Sequence, residues 1–358
     1  MKTHAVISAL AGIVLAGVNA QAEPFRIGVA APLSGSSSLL GEQIGNGAKA
    51  AASADADVEL VVADDACTAA GGAEAAHEFV ASEVRIVVGF LCTESIEAAL
   101  PILKQAKIPV IAVGQRADSL TDRRERTGWP VVRLGPRADG EREAAGQILT
   151  RLWRNELFAV IDDGTIYGRE LAESFRISAE QAGLKPVFVD TFRPQLDNQI
   201  GLIGRLRKAG ATHVFAGGDR DDIAIMARDA EKIGADMIFA GGEALRAAPG
   251  DVPLAPGTLM VGLPEWADIA NRNVVTALIA RKIQPDGYVL PAFAAVEIAT
   301  AAVAEASVSG KPLETILTGG EFATVLGPIS FDAKGDLSKN PYGVFRFDGA
   351  EFTPVDVE

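Results

Sequence analysis

The chain has 358 residues, 48% of them hydrophobic and 22% charged, the balance of a folded protein with chain enough for two domains. Lys and Arg number 33 against 47 Asp and Glu, a net charge of −14, which argues against a nucleic-acid binder or a polybasic membrane-surface protein, since both need clustered cations against phosphate. Three His and two Cys leave too little for a structural zinc centre, which needs a full set of Cys or His ligands.

The first residues read as an address. Lys2 and His4 precede an apolar run from Ala5 to Val18 that ends in Ala20-Gln21-Ala22, the pattern of a cleavable secretory leader. The run is short for a membrane span and no basic stop-transfer flank follows it. The expectation is a leader at 1–22, export to the periplasm and a mature chain beginning at Glu23, with no Cys there to carry a lipid. No later segment approaches the length of uninterrupted apolar sequence that a span requires.

Beyond the leader, short β-rich runs alternate with amphipathic helical stretches. Strands are predicted at 26–31, 58–63, 84–89 and 109–113. After a charged stretch at 121–140, broken by Pro130 and Pro136, more follow at 157–162, 187–192, 213–217, 237–241 and 259–262. Most are near-continuous Val, Ile, Ala and Phe, as expected of parallel strands covered on both faces. Between them, Leu40, Ile44, Ala48 and Ala51 fall at helical spacing; so do Ile96, Ala99, Leu100 and Leu103. Ile223, Met226, Ala230 and Ile233 repeat the pattern, as do Ala292, Val296, Ala299 and Val303. The βαβα order implies parallel sheets with right-handed crossovers, and two such runs around the break suggest two similar lobes. Cys67 and Cys92 each follow a predicted strand, and in an oxidising compartment a bridge is expected rather than two buried thiols.

No phosphate loop, nucleophile elbow or zinc-protease helix is present. Gly41, Gly45 and Gly47 open a helix without dinucleotide spacing and read as close helix packing. His77 and His213 read as structural or exposed. Asp64-Asp65 and Asp162-Asp163 are paired carboxylates at strand ends, where loop hydrogen bonding is a commoner fate than acid–base or metal chemistry. Binding is expected instead. In open parallel sheets, ligands collect at the carboxyl ends of strands, beside helix N-termini with unpaired N–H groups. Here those ends carry small, hydroxyl-bearing and glycine residues, and two lobes facing one another need only a cleft.

With those residues in place, the chain resembles the type I periplasmic binding proteins, leucine/isoleucine/valine-binding branch. The carriers are Arg26-Ile27-Gly28-Val29-Ala30-Ala31-Pro32-Leu33-Ser34-Gly35, Asp64-Asp65-Ala66-Cys67 and Val88-Gly89-Phe90-Leu91-Cys92. Further on come Tyr167-Gly168, Ala216-Gly217-Gly218, Gly241-Gly242-Glu243, Val289-Leu290-Pro291-Ala292 and Phe331-Asp332-Ala333-Lys334-Gly335-Asp336-Leu337. The resemblance covers nearly all of the mature chain and implies a two-lobed α/β fold with a hinge of three crossovers, near 135–138, 262–266 and 326–331. Lobe one is then 23–136 plus 265–327, and lobe two 137–264 plus 328–358. It also implies a Cys67–Cys92 disulfide, no cofactor, no catalysis, a monomer, and partnership with the permease and ATPase of an ABC importer.

Site residues carry over one at a time. Thr93 stands where the family has a Ser that holds the ligand carboxylate, and Gly114 matches a backbone contact beside it. Glu243 matches the acid that pairs with the ligand's amine, and Tyr167 a ring lining the second lobe. The departures lie in Gly114-Gln115-Arg116, where amino-acid binders have Ser/Ala-Ala-Thr, in Leu40 and Asp219 in place of tyrosines, and in Tyr288 in place of a Phe. Arg116 either clamps a ligand carboxylate or pairs with Glu94 or Asp219. A site with Arg116, Asp219 and Glu243 is too polar for leucine, isoleucine or valine alone. The expected ligand is a small polar or charged amino acid, or a related amino- or carboxylate-bearing molecule. Aromatic or dicarboxylic acids, amides and a sensory role through a separate receptor are the alternatives.

Overall fold

The computed structural model describes residues 24–357; the leader at 1–22 and Glu23 lie outside them. Five strands, β1 (Phe25–Ala31), β2 (Val58–Asp64), β3 (Ile86–Gly89), β4 (Val110–Ala112) and β5 (Val131–Arg133), form a parallel sheet in the order β2-β1-β3-β4-β5. A second sheet continues with β6 (Phe158–Asp162), β7 (Phe188–Thr191), β8 (His213–Gly217), β9 (Ile238–Gly241) and β10 (Leu259–Gly262). A hairpin of β11 (Glu321–Thr324) and β12 (Gly327–Ser330) stands apart, and β13 (Gly343–Phe347) and β14 (Phe352–Pro354) close the second sheet. Its order is β14-β13-β10-β9-β8-β6-β7, parallel except that β13 runs antiparallel to both β10 and β14.

Apolar continuity is what buries these strands. All four residues of β3 and all four of β10 are buried, because helices cover both faces of each sheet. Helices Ser38–Ala52 and Val289–Ser309 cover one face of the first sheet, and Ala69–Ala81 and Thr93–Gln105 the other. On the second sheet, Gly140–Leu152 and Ile166–Gln181 lie opposite Ile200–Ala209 and Arg220–Lys232. A methyl group at Gly47 would overlap the Val289 carbonyl, and one at Gly41 the Pro32 carbonyl, so both glycines serve close packing; Gly45 has open space instead. Val289–Ser309 is 21 residues long with a mean hydropathy of 1.6, but its most apolar stretch is 67% buried. It is apolar on nearly every side because it is a core helix.

The chain passes between the sheets three times, after β5, after β10 and between β12 and β13. The β11–β12 hairpin packs on the first core through Phe322, Val325 and Phe331. The third passage therefore follows the hairpin and does not cut through β12, as a crossover near 326–331 would. Strand β5 lies inside the stretch read from sequence as irregular. Pro130 and Pro136 bracket only three strand residues, and Arg133 among them breaks the apolar run. The short strands β11–β14 also lie beyond those read from sequence.

Arg133 is wholly buried. Its Nε donates to Asp336 Oδ1 at 2.5 Å, Nη1 to the Ala117 carbonyl at 2.8 Å and Nη2 to Thr121 Oγ1 at 2.9 Å. Arg137, in the first passage, reaches the same Asp336 at 3.1 Å, Asp139 at 2.7 Å and Asp122 at 3.1 Å. Hydrogen bonds from Arg137 and Lys334 hold the Asp122 carboxyl down to about 2. This cluster ties the first passage to the third, since Asp336 lies between β12 and β13. Removing one partner of a buried pair strands the other charge. Asp336→Ala should therefore lower unfolding stability by about 3–5 kcal/mol, measured by urea titration. A loss no larger than that of an exposed pair would contradict the assignment.

Candidate ligand-binding site

The carboxyl ends of β4 in the first sheet and β9 in the second lead into loops that meet across an opening, at Arg116 and Glu243. On the first sheet, the disulfide between Cys67 and Cys92, with Cα atoms 5.2 Å apart, ties the loop after β2 to the start of the Thr93–Gln105 helix. Buried Asp65 fastens the same junction, accepting from the Cys67 N–H at 3.0 Å and Ser95 Oγ at 2.9 Å. Asp64 likewise takes the N–H groups of Leu33 and Ala66, Asp162 that of Gly164, and Asp163 that of Thr165. The paired carboxylates are loop fasteners. His77 is exposed and His213 sits beside the Trp153 ring, neither in the opening.

Thr93 is exposed at the first turn of its helix, which no side chain caps. Gln115 is 3% exposed; its Nε2 donates to Thr93 Oγ1 at 2.9 Å and its Oε1 accepts from the Ala117 N–H at 2.8 Å. Gln115 thus orients Thr93 from behind. A methyl at Gly114 would press on Leu91 Cδ1 at 2.5 Å and on the Tyr288 ring at 3.1 Å, so glycine is what admits Tyr288 to this wall. The Arg116 loop is clamped from below: the Arg116 carbonyl accepts from the Ala138 N–H at 2.8 Å, and the Ala117 carbonyl accepts from Arg133.

On the second sheet, Glu243 opens a short 3-10 turn, Glu243–Arg246, directly after β9. Tyr167 lies in the first turn of the Ile166–Gln181 helix, and its hydroxyl donates to Glu141 Oε1 at 2.8 Å. The Glu243 N–H donates to the same oxygen at 2.6 Å. Burial pushes the Glu141 carboxyl up, with those two bonds and Arg116 opposing and the Glu243 charge adding. Burial, then the Glu141 charge, pushes the Tyr167 phenol up as well.

The two walls meet through charge. Arg116 Nη2 lies 3.4 Å from Glu243 Oε2, hydrogen-bonds the Tyr342 hydroxyl, and holds its guanidinium 5.7 Å from the Tyr342 ring centre. The Tyr342 hydroxyl is in turn 3.3 Å from Glu243 Oε2. Arg116 therefore pairs across the opening with Glu243, not with Glu94 or Asp219. Glu94, Asp219 and Leu40 are exposed, and no hydrogen bond or ion pair joins any of them to this cluster among the described residues. Two further residues belong to the cluster and escaped sequence reasoning, Glu141 and Tyr342. One signal was available: the chain has three tyrosines, and Tyr167, Tyr288 and Tyr342 all stand here.

The profile of a family described as periplasmic binding protein matches residues 24–351. A Leu/Ile/Val-binding protein homolog 2 of Brucella abortus (strain 2308) is 30% identical over 336 residues, covering 90% of each chain. In fold, the chain is similar to a putative branched-chain amino acid ABC transporter structure from Rhodospirillum rubrum, with a TM-score of 0.76 at 19% identity, covering 93% of this chain and 100% of that one. It is also similar to an R. palustris solute-binding protein in complex with 4-hydroxybenzoate, with a TM-score of 0.62 at 16% identity over 94% and 96% of the two chains.

The cluster's electrostatics are open to direct reading. Burial raises the Tyr288 phenol; Arg116 opposes that shift and Glu243 adds to it. Removing the cation removes that opposing influence, so in Arg116→Ala the ultraviolet titration of tyrosinate should move to higher pH. An unchanged curve would place Arg116 away from the phenols.

Proposed function

Because the chain belongs to the periplasmic binding protein family, and is a solute-binding protein of the ABC-transporter type, we propose that its ligand is a polar amino acid or a close relative carrying both an amine and a carboxylate. The observation that carries this reading is the Arg116–Glu243 pair with Tyr342 between its members. A wholly apolar ligand would shut these charges into the cleft with nothing to satisfy them beyond one another, and desolvated charges are costly. An acid without an amine engages Arg116 but draws it from Glu243, leaving that carboxylate beside Glu141. A zwitterion answers both: its carboxylate takes Arg116 as a charge-assisted, two-pronged partner, and its ammonium takes Glu243. Thr93 and the uncapped helix start supply further donors for the carboxylate. Tyr167 and Tyr288 form the sides of the pocket.

We place the lobes at residues 23–136 plus 265–327 and at 137–264 plus 328–358, except that the last boundary falls after the β11–β12 hairpin and not within β12. Contacts from both lobes to one ligand stabilise the shut form, and that form is the one presented to the permease and ATPase of an importer at the inner membrane. The protein acts as a periplasmic monomer that binds its ligand unchanged.

A second reading rests on the three tyrosines at the site and on the 4-hydroxybenzoate held by the R. palustris neighbour: an aromatic acid, seated on the rings and held by Arg116 alone. A thermal-shift screen of the mature protein separates the two, because a ligand that binds only the native form raises the melting temperature. A shift with an amino acid, lost in Glu243→Ala, is expected. A shift confined to acids lacking an amine, and indifferent to Glu243→Ala, would establish the aromatic reading in its place.

A further inference from the structure

We propose that Glu141 is a positioning residue of the cleft: its carboxylate holds the amine-binding arm, Gly242-Glu243, and the Tyr167 ring in one fixed arrangement. The consequence for ligands rests on reading Glu243 as the amine partner; the positioning itself does not.

Three distant segments converge on a single atom. Glu141 lies in the first turn of the Gly140–Leu152 helix and is 8% exposed. Its Oε1 accepts from the Glu243 N–H at 2.6 Å, 102 residues away, and from the Tyr167 hydroxyl at 2.8 Å, 26 residues away. A buried carboxylate without donors is costly, so these bonds are demanded by its burial. Both donors belong to residues that line the cleft. The backbone of Glu243 is pinned at its own N–H, which sets the direction in which its carboxylate leaves toward Arg116. Gly242 completes the joint, because a methyl there would overlap Glu141 Oε1, Tyr167 Oη and Leu171 Cδ2. The neighbouring Gly140 carbonyl accepts from Asn340 Nδ2 at 2.8 Å, and Asn340 Oδ1 accepts from the Tyr342 N–H at 3.2 Å. The start of one helix thereby fixes the approach of three site residues, Glu243, Tyr167 and Tyr342.

Hydrogen exchange of the full mature chain tests this without knowledge of the ligand. Glu141→Gln keeps an oxygen at the Oε1 position; Glu141→Ala removes it. In Glu141→Ala the peptide containing the Glu243 amide should exchange about tenfold faster, the size expected for one lost bond to a charged group. Peptides from β3 and β4 should be unchanged, and Glu141→Gln should stay close to wild type. Unchanged exchange at Glu243 in the alanine variant would overturn the proposal. So would faster exchange spread equally over both sheets, which marks a residue that stabilises the fold and positions nothing. The same variants are screened by thermal shift against the standard L-amino acids, where a shift seen in wild type should survive Glu141→Gln and shrink in Glu141→Ala. If no amino acid shifts the wild type, the polar-amino-acid reading fails while the exchange result still decides the role of Glu141.

Discussion

A guanidinium taken wholly out of water must meet a carboxylate, and Arg133 meets Asp336. That pair joins the end of β5 to the third passage between the sheets, and Arg137 adds the first passage to the same carboxylate. Fixing these passages fixes the loop between them and the cleft, because Arg133 also holds the Ala117 carbonyl. Arg116 precedes that carbonyl in the chain. The permanent charge at the mouth of the site is therefore aimed by a permanent charge in the core.

The second lobe meets that cation with a matching economy. Glu243 leaves the end of β9 with its N–H held by Glu141, and Tyr342 enters from the last passage to touch both Arg116 and Glu243. Arg116 and Glu243 each have a partner drawn from the opposite lobe and from the tail that crosses to it. Such an arrangement admits a guest on one condition: it must replace the partners that it displaces. The proposed affinity for a zwitterion and the proposed discrimination against leucine-like or amine-free molecules rest on the same two charges. The discrimination comes as much from what a wrong ligand leaves unpaired as from what a right one gains.

Much of this was legible in the residues. Parallel strands buried on both faces announce themselves as unbroken Val, Ile and Ala, and β8 and β10 run as read, at His213–Gly217 and Leu259–Gly262. Arg116 and Glu243 stood out through the family resemblance, Glu243 as a match to the acid that pairs with a ligand amine and Arg116 as a departure from Ser/Ala-Ala-Thr. The rest was hidden for physical reasons. β5 is three residues long and carries a charge into the core, so no apolar pattern marks it. Glu141 sits in the first turn of an amphipathic helix, where an acid is unremarkable beside the helix dipole. Tyr342 lies about a hundred residues after Glu243 in a stretch without periodicity, and only the fold brings it to the cleft. Gln115 was visible but its role was not: its side chain turns inward to Thr93, away from the opening.

The proposed ligand brings a carboxylate to Arg116 and an amine to Glu243. The most direct measurement is mass spectrometry of the small molecule that the mature protein retains when purified from its periplasm without unfolding, released by acid and treated with an amine-specific label. The expected result is a molecule that takes the label and also carries a free carboxylate. An acid that contains no amine would contradict it.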